Sequence, residues 1–273
     1  TILQQVIEDL QHRLKKARPF VPPLEAIQQQ YGLNTNLLNK IVDFWRTEYN
    51  WKERETFLNK FPQFVVSVQG LRLHYIHVKP ANPEGRKVLP LLLLHGWPGS
   101  IREFYEIIPL LTTPRPGCNF VFEVIAPSLP GYGFSEAAVR PGLGAVQAAV
   151  LFKNLMKRLG FAKYYIQGGD WGAVIIHHMG TLFPEQILGL HSNMCSVNSL
   201  KSNIKLFFYS FWPTLLVSPE HVHKIYPRLA KLANLVLETG YMHLQATKPD
   251  TVGETAFTTH VTEQYFQEFQ GLL

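Results

Sequence analysis

The chain has 273 residues, 46% hydrophobic and 17% charged, a balance that supports a packed core and excludes a disordered or fibrous chain. Its formal charge of +6 is scattered, with short clusters at Arg13, Lys15, Lys16 and Arg18 and at Lys153, Lys157 and Arg158. These clusters fall on helix-like stretches and read as solvated faces; no nucleic-acid-binding signature accompanies them, and mild attraction to an anionic membrane surface is the better use of the charge. Two cysteines, Cys118 and Cys195, make no disulfide framework and suit a reducing compartment.

The opening, Thr1 to Leu10, is amphipathic and does not read as a signal peptide. Leu3, Val6, Ile7, Leu10 and Leu14 recur at helical spacing and stop before Pro19. Pro22 and Pro23 mark a turn, and a second helix over Asn36 to Thr47 carries Leu37, Leu38, Ile41, Phe44 and Trp45. Residues 1–60 therefore read as a helical and meandering arm with too little apolar surface to stand alone.

From Phe64 the period changes. Phe64 to Val68 and Leu71 to Val78 flank Gln69-Gly70 and predict a β-hairpin. Strands and helices then alternate. Val88 to Leu94 is an apolar strand, Ile101 to Leu111 a helix, Phe120 to Ala126 a strand and Leu143 to Leu159 a helix. Tyr164 to Gln167 is a strand, Trp171 to Phe183 a helix and Ile187 to Asn193 the sixth strand. Continuous apolar strands separated by helices imply a mostly parallel sheet covered on both faces. Residues 61–195 form this core. Residues 196–250 read as a helical lid rich in aromatics, and residues 251–273 as a polar tail. The most lipophilic stretch, Leu206 to Val217, is broken by Pro213 and is shorter than the roughly 20 residues that span a bilayer.

Three motifs carry chemistry, each just after a predicted strand. Gly168-Gly169-Asp170-Trp171-Gly172 has the small-x-nucleophile-x-small pattern of a nucleophile elbow, with Asp in place of Ser. The nucleophile sits in a strained strand-to-helix turn, so its neighbours must be small, and the Trp171 N–H at the helix start faces developing negative charge. The blander reading makes Asp170 an ordinary N-cap. The second motif, His95-Gly96-Trp97-Pro98-Gly99, follows the Leu91 to Leu94 strand, where an α/β-hydrolase supplies its other oxyanion-hole N–H, here that of Trp97. Pro98 admits a cis Trp97-Pro98 peptide. His95 shapes this turn and is not the catalytic base, because the hydrolase order puts the histidine last. The third, Pro127 to Ser135, forms a pocket wall. The predicted fold class is α/β, an α/β-hydrolase with an N-terminal helical arm and a helical lid.

The segments HGWPGS with EFYEIIPLL, FEVIAPSLPGYGFSEA, YYIQGGDWG and GYMHLQATKPDTVG, together with the arm's Arg18-Pro19-Phe20-Val21-Pro22-Pro23, resemble the microsomal epoxide hydrolase family, which includes the juvenile hormone epoxide hydrolases of insects. The resemblance implies that Asp170 attacks an epoxide carbon to form a glycol ester and that Tyr241, on the lid, assists the leaving oxygen. It implies a small lipophilic epoxide as substrate, xenobiotic or hormonal, with no cofactor or metal, and a location on the cytosolic side of the endoplasmic reticulum membrane. The likeness stops near Gly253. The tail, with His260 and Glu263, does not resemble the strands that should carry the acid and the histidine, so the expectation is a C-terminally truncated chain that starts the reaction without turning over. A haloalkane dehalogenase, which also uses an Asp nucleophile, and a non-catalytic protein that binds hydrophobic ligands are the alternative readings.

Overall fold

The structure, a computed structural model, describes residues 4–195 and 199–252. His260, Glu263 and the rest of the expected tail lie outside the described residues. The chain divides into two compact units, Thr1–Cys195 and Ser196–Leu273.

The first unit opens with helices α1 (Gln4–Lys16), α2 (Thr35–Thr47) and α3 (Trp51–Leu58). The side chain of Asn34 caps α2 by accepting the Asn36 N–H at 2.9 Å. Helix α3 departs from the expected meander: WKERETFL has no apolar stripe, and its signal is the cap instead. Asn50 Oδ1 accepts the Lys52 N–H at 3.0 Å and the Glu53 N–H at 3.4 Å, amides that a helix start leaves orphaned, and its Nδ2 donates to Glu53 Oε1 at 2.8 Å.

Strands β1 (Gln63–Val68) and β2 (Leu71–Val78) pair antiparallel, with Val68 opposite Leu71. Gln69 and Gly70 turn the chain with φ of 50° and 84°, the doubly positive pair that a two-residue hairpin needs. The chain continues through β3 (Lys87–Leu94), α4 (Ile107–Thr112), β4 (Phe120–Pro127), α5 (Ala145–Arg158), β5 (Tyr164–Gly168), α6 (Trp171–Leu182) and β6 (Ile187–Ser192). The sheet order is β1-β2-β4-β3-β5-β6; β2 runs antiparallel to both neighbours and the last four strands are parallel.

The apolar run of β3 is explained by burial on both faces. Leu92 and Leu94 join Phe152, Leu155, Ile175 and Met179 of α5 and α6. Leu91 and Leu93 face Ile101, Phe104, Tyr105 and Ile108 on the opposite side. Burying each leucine contributes about 1.5–3 kcal/mol.

The helix expected over 101–111 is instead broken into a 3₁₀ turn, Ile101–Phe104, and α4. Pro109 is the cause. A proline has no N–H to give and its ring collides with the carbonyl four residues earlier, so a continuous helix fails at Tyr105.

Tyr105 has its own use, as the socket of the arm. Its ring stacks on Phe57 at 5.3 Å and meets Phe61 edge-on at 5.1 Å, and its hydroxyl donates to the Leu58 carbonyl at 2.6 Å. The Lys60 ammonium lies 4.6, 4.9 and 5.2 Å from the centroids of Phe57, Phe61 and Tyr105 and donates to the Tyr105 carbonyl at 3.2 Å.

The second unit holds α7 (Leu200–Phe208), α8 (Val222–Ile225), α9 (Arg228–Glu238) and α10 (Gly240–Thr247). Tyr226 is buried and its hydroxyl donates to the Leu206 carbonyl at 3.0 Å. Phe207, Phe208, Phe211 and Trp212 form an exposed run of touching rings. Among the described residues no helix is long and apolar enough to cross a membrane.

Candidate active site

Strands β4, β3 and β5 are parallel neighbours, so their C-terminal ends share one edge of the sheet. The three motifs follow those ends. That edge is where open α/β sheets bind ligands.

At the β5–α6 junction Asp170 has φ 51° and ψ −124°, a conformation that costs an L residue about 1–3 kcal/mol. Its side chain makes no capping bond to α6, which removes the reading of Asp170 as a side-chain N-cap. The turn closes this tightly because Gly172 has no side chain: a Cβ there would collide with the carbonyls of Leu94 and His95. Gly96 lies against Asp170 in the same way, and a Cβ on it would strike the Asp170 side chain. The Trp97 N–H then donates to Asp170 Oδ1 at 2.6 Å, a charge-assisted bond of the shorter kind. The Trp97-Pro98 peptide is cis.

His95 is fully buried behind this turn. Its Nε2 accepts the Leu129 N–H at 3.0 Å, so Nδ1 carries the proton and donates to the Gly96 carbonyl at 3.0 Å. Burial pushes its pKa down, against the opposing pull of the Gly96 carbonyl and the Asp170 charge. His95 is thus a neutral staple between the second and third motifs, with both nitrogens engaged.

A cavity of about 430 Å³ is lined by Gly96, Trp97, Pro98 and Gly99 on one side and by Glu103, Gly169, Asp170 and Asn193 on the other. A larger, apolar cavity of about 720 Å³ runs along β3, β5 and β6 and shares Glu103, Gly169 and Asn193 with it. Trp171 is half exposed and lines a separate pocket of about 210 Å³ with Pro130, Tyr132 and Ile175. Of the two expected oxyanion-hole amides, Trp97 donates to Asp170 in this structure; that of Trp171 stands at the start of α6. Tyr241 is the second residue of α10, in the other unit, and is 47% exposed.

Two further residues at the site, Glu103 and Asn193, escape the motif reading, and Tyr132 of the third motif also responds to Asp170. Glu103 shares the Asp170 cavity. Burial raises its carboxyl pKa and the Asp170 charge raises it further, while the Gly96 and Ser100 amides lower it. Tyr132 is also pushed up, by burial and then by the Asp170 charge. Asn193 lies so close to Gly169 that a Cβ there would meet its amide. A sequence signal exists for Glu103: Ser100-Ile101-Arg102-Glu103 has the spacing of a capping box. For Asn193 the signal is its place just after β6, the strand beside β5.

The Epoxide hydrolase N terminus family matches residues 1–104, and the alpha/beta hydrolase fold family matches residues 90–224. Juvenile hormone epoxide hydrolase 1 of Ctenocephalides felis is 58% identical over 252 residues, which is 92% of this chain and 54% of that protein. Epoxide hydrolase 1 of Sus scrofa is 46% identical over 252 residues, 90% of this chain and 55% of that protein. The crystal structure of juvenile hormone epoxide hydrolase from the silkworm Bombyx mori superposes with a TM-score of 0.90 at 51% identity, covering 93% of this chain and 60% of that one. The chain spans about half the length of these curated relatives.

Proposed function

The chain belongs to the epoxide hydrolase family, and from that premise we propose that Asp170 is the nucleophile that opens a small lipophilic epoxide. The observation that carries this reading is the Asp170 carboxylate itself: strained, uncapped, open to a cavity and held at Oδ1 by the Trp97 N–H at 2.6 Å. With Oδ1 engaged, Oδ2 is the oxygen that attacks. It forms a C–O bond to a ring carbon as the ring C–O bond breaks, and the departing oxygen takes a proton, a role we assign to the Tyr241 hydroxyl. The product is a glycol ester whose carbonyl oxygen is Oδ1. Hydrolysis of that ester puts negative charge on Oδ1, and we assign its stabilisation to the Trp97 amide, which already bonds Oδ1, and to the Trp171 amide by the elbow pattern. The second half needs a base for water, and His95 has both ring nitrogens occupied.

Incubating the 273-residue chain with styrene oxide and measuring intact mass tests this. A single adduct mapping to Asp170, absent in Asp170→Asn, is expected to accumulate without steady diol release. A chain that stays unmodified under conditions where it is folded sinks the nucleophile assignment.

For the substrate, the higher identity to the juvenile hormone enzymes (58% against 46%) favours a juvenile hormone epoxide over a xenobiotic one. A juvenile hormone epoxide should therefore modify Asp170 faster than styrene oxide at equal concentration. We place the protein on the cytosolic side of the endoplasmic reticulum membrane, by the resemblance to the microsomal family. Fractionation of expressing cells, with the protein recovered away from microsomes, counts against that.

A further inference from the structure

We propose that Glu103 is a positioning residue that sets the aim of the Trp97 amide at Asp170. The turn that carries Trp97 has no regular secondary structure of its own, since residues 95–100 lie between β3 and the 3₁₀ turn at Ile101–Phe104. Something must hold it. One hold is His95, which fixes the carbonyl side through Gly96. The other is Glu103, whose Oε1 sits where a Cβ on Gly99 would fall and whose carboxyl feels the nearby Gly96 and Ser100 N–H groups. These two amides bracket the turn, one on each side of Trp97-Pro98-Gly99.

The capping-box spacing accounts for the Ser100 amide but not for that of Gly96. In a capping box the N3 carboxylate accepts only the N-cap amide; here the same group also feels an amide four residues further back. Gly99 leaves the room for it, because a Cβ at Gly99 would fall on Glu103 Oε1. The carboxylate also lines the same cavity as Asp170. Two carboxylates side by side repel each other, so a surface salt link on Glu103 would have been the easier arrangement. The Gly96 and Ser100 amides offset part of that cost. With Glu103 in place, its carboxylate fills the space beside Gly99 while the Trp97 N–H is turned to Asp170.

The geometric claim concerns Trp97 alone; its effect on chemistry rests on the reading of Asp170 as nucleophile. The experiment separates the two. Labelling tryptophan with nitrogen-15 gives one backbone amide signal for each of the chain's 5 tryptophans, and hydrogen exchange is followed for each. In Glu103→Ala the Trp97 amide is expected to exchange about ten-fold faster or more, as loss of a hydrogen bond to a charged group implies. In Glu103→Gln, which keeps one acceptor oxygen, the change should be smaller. In Gly99→Ala, where the methyl takes the carboxylate's place, it should match Glu103→Ala with Glu103 still present. The Trp45 and Trp51 amides, in the arm, should not move, which distinguishes lost aim from general loosening.

If the Trp97 amide in Glu103→Gln and Gly99→Ala stays within about two-fold of the parent, or if all tryptophans accelerate together, the proposal is overturned. Reaction with styrene oxide is run beside it. A parent chain that never alkylates refutes the Asp170 assignment while the exchange data still decide Glu103. A parent that alkylates, with Glu103→Ala equally fast and Trp97 unchanged, refutes Glu103 alone.

Discussion

Asp170 occupies a backbone conformation that no side chain favours, and its neighbours exist to hold it there. Gly172 is the most constrained, set against two carbonyls at the end of β3. Replacing it with alanine should overpack the β3–α6 contact and cost about 1–3 kcal/mol, read as a lower urea midpoint, and should slow adduct formation at Asp170. A retained midpoint would show that the elbow has more slack than its geometry implies. His74 is a second residue whose state matters. Buried on β2, it bonds Ser128 Oγ at 3.0 Å through Nδ1 and Gln63 Oε1 at 2.8 Å through Nε2, so the neutral Nε2–H tautomer satisfies both. Burial lowers its pKa from 6.5 to about 4. A depressed folded pKa means that the unfolded chain binds the proton more readily. The stability is therefore whole above pH 6.5 and is lost as pH falls toward about 4, by about 3 kcal/mol at the low end. Urea unfolding at stepped pH should show this loss in the parent and a shallower slope in His74→Gln; parallel slopes would contradict it.

At the scale of elements, the arm is fastened to the core through the socket around Tyr105. Tyr105, Phe57, Phe61 and Lys60 join α3 to the 3₁₀ turn that carries Glu103. Lys60→Met should remove cation–π contacts worth about 0.5–2 kcal/mol, and Tyr105→Phe a hydrogen bond worth about 1 kcal/mol. Limited proteolysis should then cut the arm between α2 and β1 sooner in both variants. Cleavage at the parent rate would mean that the arm is held elsewhere. Helix α3 and the broken α4 show why local signals mislead in this region. A short helix without an apolar stripe is marked only by its cap, and a proline breaks a helix four residues before it stands.

For the whole first unit, the weak edge is β6. Among the described residues it pairs with β5 alone, and Leu188 and Leu190 are 46% and 41% exposed. An unpaired strand with exposed leucines is a template for association. The chain should self-associate at rising concentration, and Leu190→Lys should shift it toward monomer in light scattering; an unchanged size distribution would rule this edge out as the contact.

Much of the architecture is legible in the residues. The hairpin turn at Gln69-Gly70, the apolar run of β3 and the Gly-rich elbow are local signals, because period, turn chemistry and steric room act between near neighbours. Those signals alone assign the motifs at His95 and Asp170 to strand ends. Strand order is not legible: nothing local says that β3 lies between β4 and β5, which is what brings the three motif loops to one edge. Nor does the sequence say that Asp170 forgoes its cap, that Trp97 meets its Oδ1, or that Glu103 packs against Gly99. Those depend on how surfaces distant in sequence pack, and only the folded chain decides them.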